Sequence, residues 1–437
     1  MPTTSIPTYR AALVPKGQDV LRINACRTKP GAIQGYAGEL HRRQMRRALM
    51  RAEAGLRFPL REQDSACWFG FLEYPSFAVH CGQSEHRPIN ICKVERNTFG
   101  IMLSLLARTA VVFALTINAV NAAPLQKRAD LEPVITTDFP DPSIIKVGNT
   151  WYAFASQSAF DYKDIKIQLA TSTDFKTWTV TGKDALGSMA PWVKADGPAV
   201  WAPSVSQRQD GSFLLYYSAV TTTAGNGAYH CVGTATSDSV EGPYNSNSGE
   251  PFACPTDQGG ALDASAFIDA DGTNYALYKI DANAKGHGGV CGNTVEPIVK
   301  TPIMIQKVQA DGTTKIGDPV ELIHNTDRDG PLVEAPYMIR TGDGTYVLFF
   351  SSNCYTTADY DVSYATSESP TGPFAKTTTP LFVTGVAGTI GPGGASVASD
   401  GTSMALHGYE SDSKVGSVRS MYVVSIAHQD QKVVLQQ

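Results

Sequence analysis

Three acidic residues, far apart in the chain, stand at the head of similar segments. Asp141 opens DPSII (141–145), Asp263 opens DASAFI (263–268) and Glu334 opens EAPYMI (334–339). Two further segments of the same kind, APSV (202–205) and GASV (394–397), carry Ala202 and Gly394 at the matching place. Aligned on their first residues, the five lie 61, 61, 71 and 60 residues apart. Carboxyls gathered from such distances suit hydrolysis of a glycosidic bond. One carboxyl must be protonated to donate to the leaving oxygen, and another ionised to activate water or attack the sugar. Crowding by like charge is one way to separate the two pKa values. A glutamate near other carboxylates has its pKa raised, which suits the acid role, and the third acid is left to tune or orient. A lone Asp before Pro more often begins a turn. Three acids in one register of a repeat are different, because channel-facing acids repel one another and cost stability without a role.

The elements that must position them follow the same repeat. After each first strand come a turn and a second strand close to DGTxYxLYxS: NTWYAFAS, DGSFLLYYSA, DGTNYALYK, DGTYVLFFS and DGTSMALHGY. Third strands follow in IQLATSTDFKTW (167–178), VGTATSDSVEGPY (232–244), PIMIQKVQADGTT (302–314) and VSYATSESPTGPF (362–374), and MYVVSIAH (421–428) is one more. A fixed period of turn-bounded strands predicts a radial repeat with one blade per copy, an all-β, five-bladed propeller. Innermost strands line the central channel, so equivalent positions on them converge. No long 3.6-residue periodicity and no composition break occur after residue 131. Residues 129–437 therefore read as one domain, with the Gly-rich stretch 281–299 a loop at the channel mouth.

Charge divides the chain. Residues 1–101 carry a net +7 and residues 102–437 a net −12. The acidic part excludes nucleic acid as a partner, since phosphate binding needs clustered Lys and Arg; its surface suits a neutral ligand. From Met102, MLSLLARTAVVFALTINAVNAAPLQKR has one Arg ahead of an apolar core and small residues at Val120 and Ala122, the layout of a secretory signal. Its core is too short to span a bilayer. Lys127-Arg128 adds a dibasic processing site, so 102–128 reads as signal peptide and pro-site of a secreted protein. Residues 1–101 read as a disordered extension or an over-extended gene model, with 41–57 a potential basic helix. Cys231, Cys254, Cys291 and Cys354 predict two bridges in an oxidising compartment, with three connectivities open. The short loop Cys231–Cys254 is the first choice, leaving Cys291–Cys354. No CxxC spacing points to a metal.

The runs DFPDPSI, VWAPSV, ALDASAFID, VEAPYMI and ATSESPTGPF together resemble glycoside hydrolase family 43. That resemblance implies a five-bladed propeller acting by inversion on arabinose- and xylose-containing plant polysaccharides. It implies Asp141 as general base, Glu334 as general acid and Asp263 as the residue that tunes and orients the acid. Among substrate-binding positions, Trp201 would form a wall of the sugar site, His407 would stand near the axis and Arg419 would reach the sugar. No cofactor is required, although a structural metal or water near His407 is compatible with the resemblance. One departure is Gly394, in GPGG, where many members carry a His; a central metal that depends on that His is not expected. The implied activity is an exo-acting α-L-arabinofuranosidase on arabinan or arabinoxylan, with β-xylosidase and arabinanase as alternatives, expected as a monomer off the membrane. A non-catalytic carbohydrate-binding propeller would predict loss of an acid, and a retaining fructan-type enzyme a WMNDPNG-like first motif in place of FPDPS.

Overall fold

Second strands show most directly why this sequence folds as it does. Phe213–Val220 is an unbroken run of aromatic and aliphatic residues around one Ser, and every residue of it is buried. Leu214 and Tyr216 pack to one side, Leu215 and Tyr217 to the other. A strand buried on both faces needs such a run rather than alternation. Asp-Gly turns then send the chain back.

The computed structural model describes residues 131–222, 229–246, 248–410, 415–429 and 431–436, and the backbone of three earlier strands. Those are β1 (Arg22–Asn24), β2 (Phe77–Gln83) and β3 (Asn90–Arg96), an antiparallel sheet in the order β1-β3-β2. Where the sequence predicts a disordered extension, these described residues are strands. The remainder of 1–130, with the 41–57 segment and the signal-type stretch 102–128, lies outside the described residues.

From residue 143 onward the chain forms five successive four-stranded antiparallel blades, as the repeat predicts. Blade I is β4 (Ser143–Val147), β5 (Thr150–Ala155), β6 (Gln168–Ser172) and β7 (Thr179–Val180). Blade II is β9 (Trp201–Gln207), β10 (Phe213–Val220), β11 (His230–Ser237) and β12 (Tyr244–Asn245), with β8 (Leu186–Ser188) added parallel to β12. Blade III is β13 (Ala261–Ile268), β14 (Asn274–Ile280), β15 (Ile303–Val308) and β16 (Val320–Ile323). Blade IV is β17 (Val333–Arg340), β18 (Tyr346–Ser352), β19 (Asp361–Ser367) and β20 (Ala375–Lys376). Blade V is β21 (Ile390–Val397), β22 (Ser403–Tyr409), β23 (Ser420–Gln429) and β24 (Lys432–Gln436).

The core is five apolar layers, one between each pair of neighbouring blades. Phe154 and Leu169 of blade I meet Val205 and Leu215 of blade II, and the series returns to its start where Ala405 and Met421 of blade V pack with Ile144 and Ala153. Backbone bonds also tie the chain entering blade I to blade V. Val134 N–H donates to the Met421 carbonyl at 2.8 Å, Met421 N–H to Ile135 at 2.9 Å, and Phe139 N–H to Arg419 at 2.9 Å. Among the described residues two disulfides form, Cys231–Cys254 within blade II and Cys291–Cys354 between the β14–β15 and β18–β19 connections. The 281–299 stretch carries only two short 3₁₀ turns.

Candidate active site

Each inner strand is bent near its start by one residue with left-handed backbone: Asp141 (φ 54°), Ala202 (45°), Asp263 (59°), Ala335 (52°) and Gly394 (58°). A cavity is lined by three consecutive residues from each blade, beginning at those same positions. This register corrects the sequence alignment in blade IV, where Ala335 rather than Glu334 is the equivalent of Asp141 and Asp263. Cross-strand pairing agrees, since Trp201 faces Ser218, Leu262 faces Lys279, Glu334 faces Ser351 and Gly393 faces His407. Glu334 thus shares its position with Trp201, one residue ahead of the left-handed bend. The alignment on first residues misses this because it sets EAPY against DPS, whereas APY matches APS.

Left-handed backbone costs an L-residue roughly 1–2 kcal/mol, and a ring of hydrogen bonds secures it. In four blades a side chain near the end of the second strand accepts the N–H of the bent residue in the next blade. Ser156 Oγ takes Ala202 N–H at 2.7 Å and Ser218 Oγ takes Asp263 N–H at 3.0 Å. Ser351 Oγ takes Gly394 N–H at 2.9 Å, and His407 Nδ1 takes Asp141 N–H at 2.9 Å. Blade III has Lys279 at this place, which has no acceptor. There the carboxylate of Asp263 itself takes Ala335 N–H, at 2.9 Å. These serines were legible as the ninth residue of DGSFLLYYS and DGTYVLFFS and the last of NTWYAFAS, but nothing in one sequence says what they contact.

The three acids sit in different electrostatic settings. Burial alone would push the Asp141 carboxyl up, but the Arg419 guanidinium foremost, and the Ser156 hydroxyl with it, hold it below the usual carboxylate value. Arg419 lies 3.6 Å from Asp141 Oδ1, and the Ser156 hydroxyl donates to Oδ2 at 2.5 Å. His407 approaches the same carboxylate to 3.3 Å without forming an ion pair. Burial and the nearby Arg419 pull its pKa down to about 3 against the pull of Asp141, so the ring is neutral, and its Nδ1 lone pair is occupied by the Asp141 peptide. Asp263 is displaced the other way. Burial and the neighbouring Glu334 raise it well above the usual value, although Lys279 opposes them. Crowding by a neighbouring carboxylate is thus felt at Asp263. Both oxygens of Glu334 accept donors: Oε2 the Lys279 ammonium at 3.0 Å, Oε1 the Tyr360 hydroxyl at 2.8 Å. Asp141 is thus held low while Asp263, beside it in the site, is held high, the separation that acid–base chemistry needs.

The other predicted site residues fall around this group. Trp201 is 40% exposed and stacks on His230, ring centroids 3.9 Å apart at 18°, which makes it an open platform rather than a core residue. Arg419 stacks on Tyr355 at 5.2 Å while facing Asp141. His407 is 1% exposed and stacks on Tyr360. Its Nε2 is buried and finds no partner among the described residues. A single imidazole nitrogen does not make a calcium shell, which takes six to eight oxygens. No group of three or more His, Cys, Asp or Glu able to hold a metal ion occurs among the described residues. The donor set fits a water better than a metal.

Gly394 explains the departure at GPGG. A Cβ there would lie 2.7 Å from the His407 ring and 3.2 Å from Asp141 Oδ1. Gly394→Ala is expected to lose roughly 1–2 kcal/mol from the left-handed backbone alone, and to displace His407 as well. Thermal unfolding checks this, and an unchanged midpoint would contradict it.

Comparison with known proteins places this geometry. Residues 131–429 match the model of glycosyl hydrolases family 43. A β-D-galactofuranosidase (xynD) of Aspergillus niger is 28% identical over 254 residues, 56% of this chain and 65% of that protein. An extracellular endo-α-(1→5)-L-arabinanase of Thermotoga petrophila is 27% identical over 265 residues, 54% of this chain and 50% of that protein. The chain thus spans between half and two-thirds of the length of these relatives. The crystal structure of a thermostable family-43 glycoside hydrolase superposes with a TM-score of 0.58 at 25% identity, over 71% of this chain and 96% of that one. Since the match reaches into all five blades and takes in Asp141, Asp263 and Glu334 together, the chain belongs to glycosyl hydrolases family 43.

Proposed function

We propose that the protein is a secreted glycoside hydrolase that removes arabinofuranosyl units from the ends of arabinan or arabinoxylan with inversion at the anomeric carbon. Asp141 takes a proton from a water that attacks the anomeric carbon, and Glu334 passes a proton to the departing oxygen. Asp263 tunes and orients Glu334, and Trp201 offers an indole face to the C–H surface of the sugar. The observation that carries this reading is the opposite treatment of the acids: Asp141 held low beside Arg419, Asp263 held high beside Glu334. Secretion is supported by the signal-type segment and by two disulfides, which persist in oxidising compartments.

Exposed aromatics favour a second reading, an endo-acting arabinanase. Phe160 and Tyr162 lie on the connection that carries Ser156, and Tyr355 on the connection that carries Tyr360. All three therefore belong to the end of the propeller where the acids are, and would suit a longer chain. Products from debranched arabinan, arabinoxylan and xylo-oligosaccharides decide between the readings. Arabinose as the first product supports exo action, arabino-oligosaccharides support endo action, and xylose alone would move the assignment to a xylosidase. No turnover on any of them would overturn the proposal.

A further inference from the structure

Lys279 is the residue that breaks the five-fold ring, and the break points to its role. Where the other blades place Ser156, Ser218, Ser351 and His407 as acceptors, blade III places a side chain that only donates. It is 1% exposed, and an ammonium so deeply buried is costly unless it is paired. Two carboxylates meet it, Glu334 Oε2 at 3.0 Å and Asp281 Oδ1 at 3.1 Å. A serine would satisfy the repeat and accept the Ala335 N–H that Asp263 now takes. Fold alone gives no reason for a lysine at this place.

We propose that Lys279 is a positioning residue that decides where the transferable proton of the Asp263–Glu334 pair resides, and that Asp281 competes with Glu334 for its charge. The inference rests on the hydrolase reading above. With Lys279 on Oε2 and Tyr360 on Oε1, both Glu334 oxygens are filled by donors in the free protein, and the proton belongs on Asp263. Glu334 becomes the donor when Lys279 swings toward Asp281 and the proton passes across. The pair then loses one proton to the leaving oxygen, and solvent returns one afterwards.

Other charges near this group do not titrate with it. Asp141 is held low, burial keeps His230 neutral, and burial and the surrounding carboxylates raise Tyr360 well above its usual value. Lys279 is itself raised by Glu334, Asp281 and Asp263 against its burial, so it stays charged. The pair therefore sets the alkaline limb of activity.

The test is the pH profile of kcat/KM on an aryl arabinofuranoside for the wild type, Lys279→Ser and Asp281→Asn. A cation within hydrogen-bond reach lowers a carboxyl pKa by about 1–3 units. Lys279→Ser should therefore move the alkaline limb up by about one unit or more. Asp281→Asn removes the competing carboxylate and should move it down. Opposite shifts support the proposal; an unmoved limb in both, or shifts of the same sign, overturns it. Asp281→Asn alters a more exposed side chain and decides the matter alone if Lys279→Ser does not fold: a downward shift supports the proposal, an unmoved or raised limb overturns it. Carbon-13 titration of the side-chain carboxyls reads the same pair without substrate. It tests the inference even if no glycoside is turned over, an outcome that would sink only the hydrolase reading.

Discussion

Glu334→Gln is expected to lower kcat on natural glycosides by about 10²–10⁴-fold, the usual contribution of a general acid. The decisive feature is how the loss depends on the leaving group. A dinitrophenolate departs without a proton, so the variant should regain most of its rate on a dinitrophenyl glycoside and little on an alkyl one. Binding of a product sugar should survive, because the glutamine keeps the shape and still accepts from Tyr360, which reaches Oε1 at 2.8 Å. An equal loss on both substrates would mean that Glu334 is not the acid. A variant as active as the wild type would remove it from the chemistry altogether.

Asp141→Asn is expected to lose about as much, and to lose it equally on every leaving group, because water must be activated whatever departs. The sign of the pH dependence follows from its surroundings. Arg419 foremost, and Ser156 with it, hold Asp141 below the ordinary carboxylate value against its burial. Activity should therefore persist as pH falls past about 3.8, the usual aspartate value, and fail only when Asp141 takes a proton. Arg419→Met should raise that acid limb while leaving the alkaline limb in place. A limb unmoved by the loss of a guanidinium 3.6 Å from Oδ1 would count against Asp141 as the base.

Much of this was legible in the sequence, for a physical reason. A propeller repeats one supersecondary unit, so strand and turn chemistry recur five times and reinforce one another. The first three strands of each blade stand out as aromatic or β-branched runs between Asp-Gly or Gly-Pro turns. The fourth strands do not: β7, β12 and β20 are two residues long, too short to carry a periodic signal. The acids were visible by type and spacing, but the one-residue offset of Glu334 was not. A bend of left-handed backbone leaves no mark when the residue adopting it is Ala335 rather than glycine. Lys279 stood in plain view, as the letter that replaces serine in DGTNYALYK. Its meaning needed the knowledge that this position accepts a neighbour's N–H, which comes only from blades packed side by side.

The account turns on two acids working from opposite sides of a sugar, with water between base and anomeric carbon. Proton NMR of the anomeric signal during the first minutes of turnover, before mutarotation mixes the products, tests that arrangement directly. The account predicts a first-formed sugar whose anomeric configuration is opposite to that of the substrate. Retention would mean a covalent intermediate on one of these carboxylates, and would contradict the roles assigned to Asp141 and Glu334.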